Sequence, residues 1–237
     1  MCIAILKPIG ANITDDEIRN CARANREGGG YAFVGKKGKM WVRKGFFDVE
    51  KFIEAYREDE KKFGQTSPAL LHFRIATGSK VNEDNCHPFV FKHGALIHNG
   101  WFFPSTQEKS DTRLLTERIG DWLTRNRAIK HREELSKYFG HNKVVLLYRD
   151  KTAVILNEDA GTWHNGVWFS NGGFRNYSVG FRPGPSCAVG TASRKAGEND
   201  PYDDTENFDN ELDELWGTPR HRRFRPDSTF RPPVSDK

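Results

Sequence analysis

The sequence predicts an α+β fold built from antiparallel sheets, and two observations carry that prediction. Short apolar or alternating segments are joined by hairpin signals at Lys37-Gly38, His93-Gly94 and Arg149-Asp150, whereas parallel strands need long crossovers. The amphipathic stretches also come in blocks, strands then helices then more strands, without the regular strand–helix alternation of a doubly wound sheet. No internal repeat is present.

Residues 2–8 are short, apolar and β-prone, a buried first strand. Asp15 and Asp16 open a helix reaching about Asn25. Gly28-Gly29-Gly30 breaks the chain, and YAFVGKKGKMWVRKG reads as a hairpin. Asp48 is a good N-cap for a helix that places Val49, Phe52, Ile53, Tyr56 and Phe63 on one face and stops at Gly64. A strand over Leu70–Ala76 leads into a polar loop from Thr77 to His87. Phe89–Phe91 and Ala95–His98 form a second hairpin. Ser110 caps a helix that buries Leu114, Leu115, Ile119, Trp122 and Leu123, and a short helix covers His131–Tyr138. Strands follow at Lys143–Tyr148, Thr152–Leu156 and around Trp163–Ser170.

The chain has 237 residues, 36% hydrophobic and 12% aromatic, which suits one sizeable core or one domain with a tail. No stretch approaches the roughly 20 apolar residues of a membrane span. The start, MCIAILKPIG, lacks the basic head of a signal peptide. A soluble, cytoplasmic protein without a membrane partner is therefore expected. Cys2, Cys21, Cys86 and Cys187 are irregularly spaced, with neither the close pairs of a zinc ribbon nor a disulfide framework, so they are read as free thiols.

The net charge of +5 is uneven. Residues 1–195 hold 31 Lys+Arg against 21 Asp+Glu, and residues 196–237 hold 6 against 11. The basic body leaves anionic substrates or nucleic acid open through steering, and an ordinary solvated surface explains it as well. Residues 196–214 carry nine acidic side chains and no basic one, and residues 219–233 carry five Arg and four Pro. That composition predicts a disordered tail over 196–237, or one ordered only against a partner, beside a domain over 2–195. Phe208, Leu212, Leu215 and Trp216 could line one face of a short docking helix within it.

Several residues carry possible chemistry. A Cys directly after Met1 becomes the first residue once Met1 is removed, and its α-amine, with a reference pKa of about 7.7–8.0, can take the thiol proton. Nucleophile and base then belong to Cys2 alone. In HFRIATGS, Arg74 leaves a buried strand as a planar fork suited to a carboxylate; pairing to a structural acid is the plainer reading. In IHNG, the Asn99 amide and Gly100 N–H can supply two oxyanion donors, although Asn-Gly is also a common turn. In SDT, Asp111 can meet an ammonium group, although the first turn of a helix favours an acid in any case. Cys86, His87, His93 and His98 have no usual metal-ligand spacing, so no metal is expected.

The order of these motifs is more specific than any one of them. Met-Cys at the start, His72-x-Arg74-x-x-Thr77, Asn85-x-His87-Pro88, His98-Asn99-Gly100 and Ser110-Asp111-Thr112 follow each other as in class II glutamine amidotransferases. NREGGGYAFVG and GVWFSN (Gly166 to Asn171) resemble further segments of that family, and the resemblance covers about residues 2–175. It implies the four-layer αββα sandwich of N-terminal-nucleophile hydrolases, with two antiparallel sheets. It further implies a Cys2 nucleophile that forms a γ-glutamyl thioester, and an oxyanion hole from the Asn99 side chain and Gly100 N–H. Arg74, helped by Thr77, would hold the glutamine α-carboxylate; Asp111 would hold the α-ammonium. His72, Asn85 and His87 would shape the loops, and no cofactor is implied.

The sequence departs from the family at Thr77-Gly78-Ser79, where relatives often carry Thr-His-Gly, and in the short interval 101–109. With only residues 176–237 beyond the resemblance, the expected function is a glutaminase subunit that passes ammonia to a separate synthetase. A γ-glutamyl amide or peptide hydrolase is one alternative. A catalytically silent binder of protein or nucleic acid is the other.

Overall fold

The amino-terminal part of the chain alternates its side chains with period two, and that alternation builds two cores at once. In β1 (Ile3–Lys7) all five residues are buried. Ile3 and Ile5 point to one side, where they join Tyr31, Phe33, Leu71, Phe73, Val167 and Phe169. Ala4 and Leu6 point to the other, where they join Ala32, Val34, Leu70 and Trp168. A strand buried on both faces has no polar side to show, which explains the continuous apolar run IAIL; Lys7 at its end is buried against Glu60, at 3.1 Å.

The computed structural model describes residues 2–102 and 105–175; the expected tail and the boundary at residue 195 lie outside the described residues. Besides β1, the strands are β2 (Gly29–Val34), β3 (Met40–Phe46), β4 (Ala69–Phe73), β5 (Phe89–Phe91), β6 (Gly94–Asn99), β7 (Lys143–Tyr148), β8 (Ala153–Leu156), β9 (Thr162–His164) and β10 (Val167–Phe169). They form two antiparallel sheets, ordered β3-β2-β4-β1-β10-β9 and β5-β6-β7-β8. The inter-sheet core joins Ala4, Leu6, Leu70 and Trp168 to Ala95, Ile97, Val145, Leu147 and Ile155.

Helices α1 (Asp15–Arg23) and α2 (Val49–Phe63) cover the outer face of the first sheet with Ile18, Cys21, Phe52 and Tyr56. A capping box between Thr14 and Glu17 starts α1; the Asp48 carboxylate, accepting the Glu50 and Lys51 amides, starts α2. On the second sheet, α3 (Asp111–Ile119) packs against β5 and β6, and α5 (Arg132–Tyr138) against β8. The expected α+β architecture of two packed antiparallel sheets with helices outside is present.

The differences from expectation are local. α4 (Arg125–Lys130) was not foreseen, because RNRAIK offers only Ala128 to the core and no apolar period. Leu114 and Trp122 are half-buried instead of fully buried. The strand expected over Leu70–Ala76 ends at Phe73: Arg74 still donates its amide to the Gly28 carbonyl, at 2.7 Å, but the Ala76 amide turns away to the Glu27 carboxylate. Gly30 in β2 shows why the triple glycine matters. A Cβ there would lie 2.1 Å from the His87 carbonyl oxygen and 2.9 Å from the Lys44 Cα, both backbone, so no side chain fits.

The described helices include none long and apolar enough to cross a membrane.

Candidate active site

Strand register gathers the candidate residues at one end of the inter-sheet core. Ile3 pairs with Phe73 in the antiparallel β1–β4 ladder, so Cys2 and Arg74 are opposed one step beyond it. Cys2 continues the Ala4–Leu6 side of β1, Arg74 the Leu70 side of β4, Asn99 the Ala95–Ile97 side of β6, and Ser170 the Trp168 side of β10. Period-two alternation therefore aims four side chains from four strands toward the same layer.

Cys2 is half-buried, with its Sγ 3.4 Å from the Ile75 carbonyl oxygen and 3.3 Å from the Ile75 amide, which donates to it. Burial pushes the thiol above its ordinary value; the Ile75 amide and the Arg74 guanidinium pull it down, and Asp111 pushes it up. The nucleophile candidate is thus a neutral thiol at rest, and it needs a base to become a thiolate.

Arg74 is 3% exposed. Its guanidinium donates to Ser79 Oγ at 2.7 Å and to the Lys80 carbonyl at 3.3 Å, and among the described residues no carboxylate pairs with it. Asp111, 7% exposed, opens α3. Its carboxylate accepts the Thr112 amide at 2.6 Å, the Thr112 hydroxyl at 3.1 Å and the Phe102 amide at 3.1 Å, again with no basic side chain among the described residues. A buried charge without a counterion costs several kcal/mol. Here one of each sign flanks a thiol, and the Cys2 thiol senses both.

Asn99 is 1% exposed; its Nδ2 lies 2.9 Å from Ser170 Oγ, and its Oδ1 is buried without a partner. Gly100 follows at φ +152, left-handed backbone that favours glycine, and a Cβ there would lie 2.1 Å from Asn142 Oδ1. That oxygen accepts the Trp101 amide at 2.6 Å, while Asn142 Nδ2 donates to the Phe139 carbonyl at 2.9 Å. Both ends of the Asn142 amide are therefore fixed, and the loop after β6 is clamped from the α5–β7 connection.

The same clamp sets the His98 tautomer. His98 Nε2 is 2.8 Å from Asn142 Oδ1, which can only accept, so Nε2 carries the proton. Burial lowers the basicity of His98 against the opposing pull of Asp111, and the bare Nδ1 of the neutral ring, 2.8 Å from Thr112 Oγ1, competes with the Asp111 carboxylate for the one Thr112 hydroxyl proton. Asn142, His98, Thr112 and Asp111 form one chain from the Gly100 loop to the buried carboxylate.

Behind it sit the other sequence candidates. His72 Nε2 lies 2.9 Å from the His98 carbonyl oxygen and must donate there; His87 Nδ1 lies 2.7 Å from that Nε2 and 3.0 Å from His72 Nδ1. Burial lowers both rings, His72 to about 3 and His87 well below its ordinary value, so both are neutral. Asn85, fully buried, donates to the Lys80 and Glu108 carbonyls (3.1 and 3.0 Å) and accepts the Ser110 amide at 2.9 Å, lacing the loop before β5 to the start of α3. Thr77 is exposed, and its carbonyl accepts from Ser105 Oγ, while the Ser79 hydroxyl accepts from the Arg74 guanidinium. Cys86 bonds the Asn82 carbonyl and His93 the Asp121 carbonyl, so they are not gathered with His87 and His98. Among the described residues no group of three or more His, Cys, Asp or Glu could hold a metal ion.

Ser79, Asn142, Ser170 and Asn171 shape this site without having been singled out as site residues. Ser170 and Asn171 stand in GVWFSN, but no local signal assigns them a role. Asn142 acts 41 residues away from the amide it accepts, a separation no motif spans. A cavity of about 760 Å³ between β3, β5 and α3, lined by Arg43, Lys44, Glu83, Phe89 and Arg113 among others, includes none of Cys2, Arg74, Asn99 or Asp111.

No family model and no curated protein match the chain. Among solved structures, the chain is similar to glutamine phosphoribosylpyrophosphate amidotransferase from B. subtilis, complexed with ADP and GMP. The match has 18% sequence identity and a TM-score of 0.46, over 71% of this chain. The chain spans 41% of the length of that enzyme.

Proposed function

We propose that this chain is a glutaminase of the class II glutamine amidotransferase type, an N-terminal-nucleophile hydrolase that cleaves glutamine to glutamate and ammonia. The observation that carries the reading is a pair of buried ionisable groups beside the Cys2 thiol that have no counterion among the described residues: Arg74 without an acid and Asp111 without a base. A free α-amino acid supplies both missing counterions at once, a carboxylate for the Arg74 fork and an ammonium for Asp111. A protein-bound side chain offers neither. The ordered motifs around Cys2, Arg74, Asn99 and Asp111 support the same reading.

With Met1 removed, the Cys2 α-amine takes the thiol proton, and the sulfur adds to the side-chain amide carbon of glutamine. The developing oxyanion is met by the Asn99 side chain and the Gly100 N–H, a stabilisation worth roughly 10²–10³ in turnover per donor. The amine returns the proton to the departing nitrogen, ammonia leaves, and a γ-glutamyl thioester remains. Water, activated by the same amine, hydrolyses it to glutamate and restores the thiol. A separate synthetase is the proposed acceptor of the ammonia.

The test is glutamate release by the purified full chain from glutamine and, in parallel, from γ-glutamyl dipeptides, beside Cys2→Ala. Release from glutamine by the wild type alone is expected. Equal release by Cys2→Ala removes the nucleophile assignment, and release from dipeptides but not glutamine makes the protein a γ-glutamyl peptide hydrolase. Silence on every substrate from a chain whose Cys2 is the first residue by mass spectrometry leaves the binding reading.

A further inference from the structure

The side chains of Asn99 and Ser170 leave one proton and one lone pair mismatched. Ser170 Oγ lies 2.9 Å from the Ala4 amide and 2.9 Å from Asn99 Nδ2, both donors directed at it. A serine hydroxyl has two lone pairs and one proton. With both lone pairs taken, the proton needs an acceptor, and among the described residues none is bonded to it. At the same time Asn99 Oδ1, an acceptor, is buried without a donor. Ser170 and Asn99 are each 1% exposed, so bulk water does not settle either debt.

The two ends of an asparagine amide have the same shape, and exchanging them settles it. Ser170 Oγ then keeps the Ala4 amide as its donor and gives its own proton to Asn99 Oδ1. Nδ2 moves to the position of the former orphan, so the unsatisfied group becomes a donor rather than an acceptor. One mismatch disappears, and the remaining one is an N–H group awaiting an oxygen.

We propose that Ser170 is a positioning residue that holds the Asn99 amide with its NH₂ end toward the Cys2 side, so that a donor and not a carbonyl faces the reacting oxygen. This rests on the glutaminase reading for its catalytic meaning, but the hydrogen-bond direction stands apart from it. Ser170 is well placed for the task. Its amide donates to the Ala4 carbonyl at 2.9 Å, and the Ala4 amide binds its hydroxyl, so the hydroxyl is registered to the strand that carries the nucleophile. Without it the amide can turn over and present an oxygen to a developing negative charge.

Neutron diffraction of the full chain reads the direction with no substrate. Deuterium on Ser170 Oγ aimed at Asn99 Oδ1 is expected; deuterium on Asn99 Nδ2 aimed at Ser170 Oγ overturns the proposal, whatever the activity. The kinetic arm compares wild type, Ser170→Ala, Ser170→Thr, Asn99→Ala and the Ser170→Ala/Asn99→Ala double variant, with thermal melting to confirm folding. Ser170→Ala should lower kcat for glutamine by about 10–100-fold at nearly constant KM, and Ser170→Thr, which retains the hydroxyl, should recover most of it. The double variant should be no slower than Asn99→Ala alone, because Ser170 acts only through Asn99. Folded Ser170→Ala with wild-type kcat, or losses that multiply in the double variant, overturn it. If the wild type itself releases no glutamate, the glutaminase reading fails, and the neutron result alone decides the proposal.

Discussion

Asn171 Nδ2 donates to the Cys2 carbonyl at 2.8 Å, across 169 residues of sequence. The same side chain accepts the Gly173 amide at 2.9 Å through Oδ1. The end of β10 therefore grips the start of β1 at the residue that bears the thiol. Asn171→Asp keeps the acceptor for Gly173 and loses the donor to Cys2. We expect it to cost about 1 kcal/mol of stability or slightly more, measured by chemical unfolding, and to lower kcat at least tenfold because the Cys2 backbone loses this anchor. An unchanged kcat would show that β1 needs no such anchor.

Arg74 separates stability from function. Its charge is buried with no acid against it among the described residues, so Arg74→Met should bind no glutamine while raising the unfolding free energy by roughly 1 kcal/mol through the relief of desolvation. Asp111→Asn should weaken glutamine binding at least tenfold with little loss of stability. Calorimetric titration with glutamine and urea unfolding on the same preparations read both quantities. Tight glutamine binding by Arg74→Met would remove Arg74 from substrate recognition.

The Gly100 loop should be intolerant. Gly100→Ala puts a Cβ 2.1 Å from Asn142 Oδ1 at a backbone φ of +152, and we expect a loss of about 2 kcal/mol or more together with turnover. Asn142→Leu, which frees the Trp101 amide and His98 Nε2, should lower kcat by one to two orders of magnitude at a smaller stability cost. Thermal melts and steady-state kinetics on the two variants test the ranking.

Stability should fall on mild acidification. Burial lowers His72 from 6.5 to about 3 and His87 well below 6.5. In the window below 6.5 the unfolded chain binds protons that these native rings refuse. Their contribution is thus complete above about pH 6.5 and is lost as pH falls toward 3, at up to about 1.4 kcal/mol per pH unit for each ring. Urea midpoints between pH 7.5 and 5 should decline steadily, and the decline should be shallower in His87→Gln. A flat profile would mean that the pair is charged or exposed in solution.

Where a signal was local, the sequence revealed it. Asp48 and Ser110 start their helices as their capping chemistry requires, and the apolar run Ile3–Leu6 is buried on both faces of its strand. Arg74, Asn99, Gly100 and Asp111 could be singled out because each sits in a short motif, and the fold brings them to one end of the inter-sheet core. α4 was not legible, because RNRAIK buries a single alanine and its helix depends on Thr124 capping and the neighbouring packing. Ser79 was not legible either, because only the folded loop shows that its hydroxyl reaches the Arg74 guanidinium.

The sequence by itself determined the chemistry on offer: a cysteine next to Met1, an arginine leaving an apolar strand, an Asn-Gly pair and a helix-opening aspartate. Tertiary structure decided that strand register opposes Cys2 to Arg74, that Arg74 and Asp111 are buried with no counterion among the described residues, and that Asn142, Ser170 and Asn171 bond to the segments around them. Periodicity and capping act over a few residues and so are written locally. Register, desolvation and hydrogen-bond direction depend on which distant strands meet, and they exist only once the two sheets have packed.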